Sequence, residues 1–337
     1  MTLITGATGC LGSNLTKALL QRGERVAILR RERDELKALG TAGRDVEHRL
    51  GDLRDPESVD RAIQGIDRIY HVAGITEPLN RAEALMRSVN VEGTENVARS
   101  ALRRGVQRLV YTSSVAAIGF PDDGEIADET FAFNGNTFPH AYSATKRAAE
   151  AVVARYVKQG LDAVIVNPAA TIAPGGSLRH GWAALVMRIR QGKSPFCFPG
   201  GLGMLSSRDM TNGHIQAMEK GQRGERYILN SVNLTYRELF EKIASVVDRK
   251  APQLVCPKRV LHAMGRINTW LEWLGVDPGA LSYLVSENVP MLIRKLYYSP
   301  QKAVRELGLI LNGLEDSIQE TYQWCLEAAE ADLRSSR

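Results

Sequence analysis

Short apolar runs separated by longer stretches of helical periodicity fill the first two thirds of the chain. Leu3-Ile4-Thr5, Arg25 to Leu29, Val46 to Leu53, Ile66 to Val72, Leu109 to Thr112 and Ala163 to Val166 read as strands. Each is too short for a buried helix and is bounded by glycine or polar residues. Between them, apolar residues fall on one helical face, as Leu11, Leu15, Ala18 and Leu19 do. Strands alternating with helices of this length predict an α/β fold with a doubly wound parallel sheet and right-handed crossovers. Arg226 to Leu229 reads as one more strand of that sheet.

The pattern changes after residue 167. Gly, Pro and Ser cluster from Pro174 to Ser177 and from Pro195 to Gly203, with amphipathic helices between and after them. The expected division is a nucleotide-binding domain over 1–167, to which the chain returns at about 207–232. A smaller, mostly helical substrate-binding domain is expected over 168–206 and 233–330. Within it, Lys258 to Leu274 carries Leu261, Met264, Ile267, Trp270, Leu271, Trp273 and Leu274 beside basic residues. Such a helix closes a substrate pocket with its apolar face, or lies in a membrane interface.

Composition narrows this little. The chain has 337 residues, 44% of them hydrophobic and 24% charged, as in ordinary soluble proteins. A net charge of +5 suits an anionic cofactor or an anionic membrane surface, and without a clustered patch it does not indicate nucleic acid. Four cysteines, Cys10, Cys197, Cys256 and Cys325, lie far apart with no CxxC and no histidine at ligand spacing. Reduced thiols in a cytoplasmic protein without a metal are expected. No signal peptide and no spanning segment are expected either.

The chemistry gathers at the predicted strand ends. Gly6-Ala-Thr-Gly9-Cys-Leu-Gly12 joins a strand to a helix. There Gly6 would permit a tight turn, Gly9 the approach of a pyrophosphate, and Gly12 close helix–strand packing. Arg30-Arg31 end the second strand, where a 2′-phosphate is better served than bare ribose hydroxyls. Asp52 ends the third strand within reach of an adenine, and Ala73-Gly74 offer small residues beside a nucleotide. Ser113 and Ser114 end the fifth strand, where a hydroxyl would donate to a substrate carbonyl. On the next helix Tyr142 and Lys146 stand at i and i+4, and an ammonium there would favour the phenolate. The loop from Gly119 to Phe138, with Phe120, Phe131 and Phe133, is long enough for a lid.

These residues resemble the extended short-chain dehydrogenase/reductase family, within the NAD-dependent epimerase/dehydratase superfamily. The carriers are Thr5-Gly6-x-x-Gly9-x-x-Gly12, Asp52-Leu53, Ala73-Gly74, Asn90, Thr112-Ser113-Ser114, Tyr142-x-x-x-Lys146 and Asn167-Pro168. The resemblance implies a Rossmann fold with Tyr142 as acid–base, Lys146 on the nicotinamide ribose, and Ser114 polarising the substrate oxygen. Ser113 is the weaker candidate for that last role. It also implies cofactor contacts from Thr8, Cys10, Leu11, Leu53, Asn90, Ser113, Asn167, Pro168 and Ala170, beside Gly6, Gly9, Gly12, Arg30, Arg31, Asp52, Ala73 and Gly74. The Asp-Glu pair of the family's dehydratases is missing after Thr112. The sequence is most similar to 3β-hydroxysteroid dehydrogenases, dihydroflavonol reductases and hopanoid-associated epimerase-like proteins. That similarity implies an NADP(H)-dependent ketone/alcohol oxidoreductase for a bulky lipophilic substrate, with NAD as the lesser alternative. A sugar epimerase that keeps its cofactor and an NADPH-binding regulatory module are the rival expectations. A homodimer and peripheral contact with the inner membrane face complete the set.

Overall fold

The computed structural model describes residues 1–76, 83–135, 140–176, 178, 181–276 and 284–335. From β1 (Thr2–Thr5) the chain runs through α1 (Cys10–Gln21), β2 (Val26–Arg30), β3 (Glu47–Leu50), α2 (Pro56–Ile63), β4 (Arg68–His71), α3 (Glu83–Met86), α4 (Gly93–Arg104) and β5 (Arg108–Thr112). It continues through β6 (Ile126–Ala127), α5 (Ala141–Lys158), β7 (Ala163–Pro168), β8 (Ala170–Ile172), α6 (Gly181–Arg190), β9 (Phe196–Cys197), β10 (Gly201–Ser206), α7 (Ser207–Lys220) and β11 (Arg226–Leu229). The last third holds β12 (Val232–Thr235), α8 (Tyr236–Val246), β13 (Leu254–Val255), α9 (Lys258–Trp273), α10 (Val289–Leu292), β14 (Lys295–Tyr298) and α11 (Glu315–Ser335).

Seven strands pair in the order β11-β7-β5-β4-β1-β2-β3, all parallel. The chain starts at β1 inside the sheet, moves out to β3, then crosses back to β4 on the other side of β1. That reversal opens a crevice above the carboxyl ends of β1 and β4, the place where open α/β sheets bind ligands. Period-two alternation sorts the strand side chains between two cores. Leu3, Leu109, Tyr111, Ala163 and Ile165 face α2, α4 and α5. Ile4, Val110, Val164 and Val166 face α1 and α7. Both faces are covered over the central strands, which are buried throughout most of their length, while the edge strand β3 is polar and exposed.

A second sheet runs β12-β10-β14-β6, with β8 also on β10. It packs beneath α6, α8 and α11, whose apolar faces form a third core. A small β13–β9 ladder lies beside it. The capping box of Thr235 and Glu238 starts α8. Among the described residues no helix is long and apolar enough to cross a membrane.

Two expectations are corrected here. The segment after Gly119 is held down rather than free to act as a lid. Its strand β6 pairs with β14, Asn134 bonds both main-chain groups of Phe120, and Arg226 reaches the Glu129 carbonyl. Phe120 is core, buried with Ile118, Ile228, Leu296 and Tyr298, and the Phe133 ring lies against Arg147. Phe138 and Ser177 lie outside the described residues. The second concerns α9, where closure of a substrate pocket by the whole apolar face is corrected and the outward-facing alternative stands. It enters the core through Leu261, Met264 and Asn268, while Ile267, Trp270, Trp273 and Leu274 face outward.

Candidate active site

The glycine turn sorts into two structural glycines and one open one. Gly6 takes φ +72°, and a Cβ there would stand 2.7 Å from the Ala73 main chain. At Gly12 a Cβ would stand 2.2 Å from the Gly6 carbonyl oxygen, so only glycine lets α1 lie against the strand end. At Gly9 it would meet just that carbonyl, at 3.5 Å. Gly9 is also the N-cap of α1 and brings no side chain to it. The first-turn N–H groups at Cys10, Leu11 and Gly12 therefore have no intrahelical acceptor, and the helix dipole adds to their pull on an anion. This cradle fits a dinucleotide pyrophosphate. Thr8 is half-buried in the turn. The Leu11 side chain packs on the core, and the Cys10 thiol donates to the carbonyls of Ala173 and Pro174. Burial pushes that thiol up to about 12, so Cys10 is a packing donor and not a nucleophile.

At the end of β2, Arg30 donates through Nε to His48 Nδ1 at 3.0 Å and through Nη1 to the carbonyls of Arg31 and Glu32. Among the described residues it pairs with no carboxylate. Arg31 is engaged by Asp34 through both its main chain and its side chain. Asp52, expected to face an adenine, is held by Arg54 at 2.6 Å, and that hydrogen bond holds its carboxyl down at about 2. Leu53 contributes packing: its side chain is core, lying against Gly93, and its carbonyl accepts from Asn96.

Beneath the crevice runs a buried relay. Ala73 N–H donates to Thr5 Oγ1, which leaves the Thr5 hydroxyl to donate to His71 Nδ1 at 2.7 Å. His71 Nε2–H then donates to Thr94 Oγ1 at 3.0 Å, and Thr94 donates to the Asn90 carbonyl. Burial, with Lys146 adding to it, pushes His71 down to about 3, so the ring stays neutral in this chain of bonds. Asn90 sits in a π-helical turn, Arg87–Glu92, between α3 and α4. Its amide grips both main-chain groups of Ile75 and donates to Thr145 Oγ1 on α5. Asn90 thus ties the end of β4 to the Tyr–Lys helix.

Helix α5 is alanine-rich, starts at His140 as N-cap and ends in Arg155 and Lys158, as a helix dipole prefers. It places Tyr142 beside Ser114 and buries Lys146. Lys146 Nζ donates to the Thr112 carbonyl at 2.8 Å, and a Cβ on Gly74 would stand 3.0 Å from it. Ser114, Tyr142, Lys146 and Gly74 therefore converge above the ends of β4 and β5. The electrostatics differ from the i, i+4 expectation. Burial pushes the phenol up to about 12, opposed by the hydrogen bond to Ser114, and pushes the ammonium down to about 8, opposed by Glu150. Desolvation is the largest cause at both groups, and the phenol is held protonated.

Two serines and an asparagine part company here. Ser114 turns its hydroxyl toward Tyr142 and accepts from Ala116 N. Ser113 turns inward and donates to Glu150 at 2.6 Å, so its side chain is not offered to a cofactor. Asn167, buried completely, donates to the Ser114 carbonyl and to Glu150 at 2.6 Å. Its role is support. Pro168 ends β7 in register with Leu229, and Ala170 starts β8 opposite Met204. Glu150 itself escaped the sequence reading. It lies one turn beyond Lys146, and Arg147 and Arg226 approach its second oxygen at 3.4 Å. An acid on the inner face of an apolar helix was the available signal. His140 is the other newcomer, its ring edge-on to both Phe120 and Tyr142. All four cysteines are free thiols, and the described residues hold no metal-ligand cluster.

Residues 2–230 match the sequence model of the NAD dependent epimerase/dehydratase family. A Synechocystis protein provisionally named a dihydroflavonol 4-reductase is 32% identical over 95% of this chain and 93% of its own. Sterol demethylase protein B of Methylococcus capsulatus is 30% identical, covering 97% and 98%. A 3-beta-hydroxysteroid dehydrogenase of Mycolicibacterium neoaurum is 28% identical, covering 91% and 86%. Among solved structures, that of gox2253 superposes with a TM-score of 0.83 at 29% identity, over 97% of this chain and 98% of the other.

Proposed function

The chain belongs to the NAD dependent epimerase/dehydratase family, and on that premise we propose an NADP(H)-dependent oxidoreductase that interconverts a ketone and a secondary alcohol on a bulky lipophilic substrate. The observation that carries the reading is the convergence of Ser114, Tyr142 and Lys146 beside Gly74, above the glycine turn. A bound nicotinamide supplies or takes up the hydride. The chain's own groups handle the proton. With its phenol held protonated, Tyr142 donates to the substrate oxygen as negative charge develops there. Ser114 offers a second hydroxyl to the same oxygen. Lys146, fixed on the Thr112 carbonyl, keeps a positive charge beside the site at neutral pH.

Arg30 supports NADP over NAD: it is a guanidinium without a carboxylate among the described residues, at the end of β2, where a bound adenosine ribose would be expected in a fold of this kind. Relatives named for sterol and 3β-hydroxysteroid chemistry support the lipophilic substrate. The test is a panel of lipophilic ketones, 3-keto steroids included, followed by loss of NADPH absorbance. Tyr142→Phe should abolish turnover with NADPH affinity nearly intact. Full activity in that variant would remove the assignment. Product formed with no net change in NADPH would assign an epimerase instead.

A further inference from the structure

Helix α9 carries its largest apolar side chains on the outside. Val260, Ala263, Ile267, Trp270 and Leu274 follow one another at helical spacing along the exposed face. Ile267 is 57% exposed, Trp270 58% and Trp273 80%. The helix is not free to roll this stripe inward. Its opposite face is fixed by Leu261 in the C-terminal core, by Gly265 against Val289, and by Asn268 donating to the Leu284 carbonyl. The strand leading into it, β13, adds Leu254 at 71% exposure, and Val276 follows its end. An exposed apolar stripe of this kind marks an interaction site.

The charges identify the occupant. Between residues 258 and 274 the basic residues are Lys258, Arg259 and Arg266, with His262, against the single acid Glu272. Among the described residues Lys258, Arg259 and Arg266 form no ion pair. On the helical wheel Arg259 and Arg266 border the stripe, and Arg266 stands one turn from Trp270. We propose that this face is a peripheral docking surface for an anionic lipid bilayer. Trp270, Trp273 and Ile267 enter the headgroup boundary, and the arginines at its edge meet lipid phosphates. Tryptophan suits that depth, with an apolar ring and one N–H for the wet side. A second copy of the chain fits less well, because a two-fold contact would bring the unpaired arginines of both copies together. The surface rests on its own exposure and charge pattern, independently of the substrate reading.

The experiment uses the full chain with vesicles of phosphatidylcholine alone and of phosphatidylcholine with phosphatidylglycerol, read by co-sedimentation and tryptophan emission. The expected result is binding to the anionic vesicles, weakened by salt, with a blue shift of the emission. Trp270→Ser with Trp273→Ser should abolish both signals. Arg259→Glu with Arg266→Glu should weaken partition roughly thirty-fold or more. Both variants alter exposed side chains, so circular dichroism and NADPH affinity should match the parent. No retention on anionic vesicles would overturn the proposal, and so would equal retention of the parent and both variants. A dimer seen by light scattering that the tryptophan substitutions dissolve, without vesicle binding, would assign the face to a second copy.

Discussion

Lys146 Nζ donates to the main-chain carbonyl of Thr112 at 2.8 Å, while the Thr112 hydroxyl donates to His214 Nε2 at 3.0 Å. His214 accepts there because its Nδ1–H is given to the Met210 carbonyl. The last residue of β5 is thus gripped from α5 on one face of the sheet and from α7 on the other. Ser113 and Ser114 follow directly, so the position of the Ser114 hydroxyl depends on this clasp.

The clasp holds a buried charge, and that has a consequence for stability. Burial lowers the Lys146 ammonium from 10.5 to about 8. Between those values the unfolded chain binds a proton that the folded chain does not, so this group makes stability rise with pH across that window. Lys146→Met should abolish that slope. Denaturant midpoints of parent and variant measured from pH 7 to pH 10 (roughly the Lys146 window) check this. Parallel curves would show that Lys146 keeps an ordinary proton affinity in the fold.

Glu150 should tune the same lysine. Its negative charge raises the affinity of Lys146 for its proton. Glu150→Gln is therefore expected to move the alkaline fall of kcat to lower pH. It should also cost about 1–3 kcal/mol, since Ser113, Asn167 and two arginines lose a charged acceptor. A packing role alone would lower the denaturation midpoint and leave the pH profile in place.

Those two residues show what the sequence revealed and what it hid. The glycine turn and the Tyr142–Lys146 pair are local patterns, set by chain geometry over a few residues, and both were legible. Glu150 acts through Ser113, 37 residues before it, and Arg226, 76 residues after it. No local pattern announces such partners, because the order of strands in the sheet brings them together. Asn167 and Ser113 stand near cofactor positions in the sequence but spend their side chains on Glu150 for the same reason. Phe120 read as part of a lid because its burial depends on β14, 175 or more residues later. The sign of the Tyr142 shift was hidden too, since spacing shows the neighbouring cation but not the loss of water around the phenol.

Cofactor choice should rest on Arg30. If it grips a 2′-phosphate, Arg30→Ala removes one charge-assisted contact and raises KM for NADPH roughly ten- to hundredfold. KM for NADH should stay within about twofold. Steady-state kinetics with both cofactors decide this, and equal changes for the two would move the discrimination elsewhere.

Gly9 and Gly12 make a matched pair, because the same substitution should fail for different reasons. At Gly12 a new Cβ meets the Gly6 carbonyl oxygen at 2.2 Å, main chain that cannot swing aside. Gly12→Ala must push α1 off the strand end, at a cost of about 1–3 kcal/mol. Nucleotide affinity falls along with stability. At Gly9 the added methyl meets only one atom, at 3.5 Å, and the residue has negative φ. Gly9→Ala should lose no more than about 1 kcal/mol, the ordinary difference between glycine and alanine at an N-cap. Yet it places the methyl where a pyrophosphate would come against the open end of α1. Dinucleotide affinity is then expected to drop roughly tenfold or more in a protein that unfolds almost as the parent does. Thermal denaturation and calorimetric titration with NADPH, run on both variants, separate the two roles. A Gly9→Ala protein with parental affinity would place the phosphates away from the α1 N-terminus.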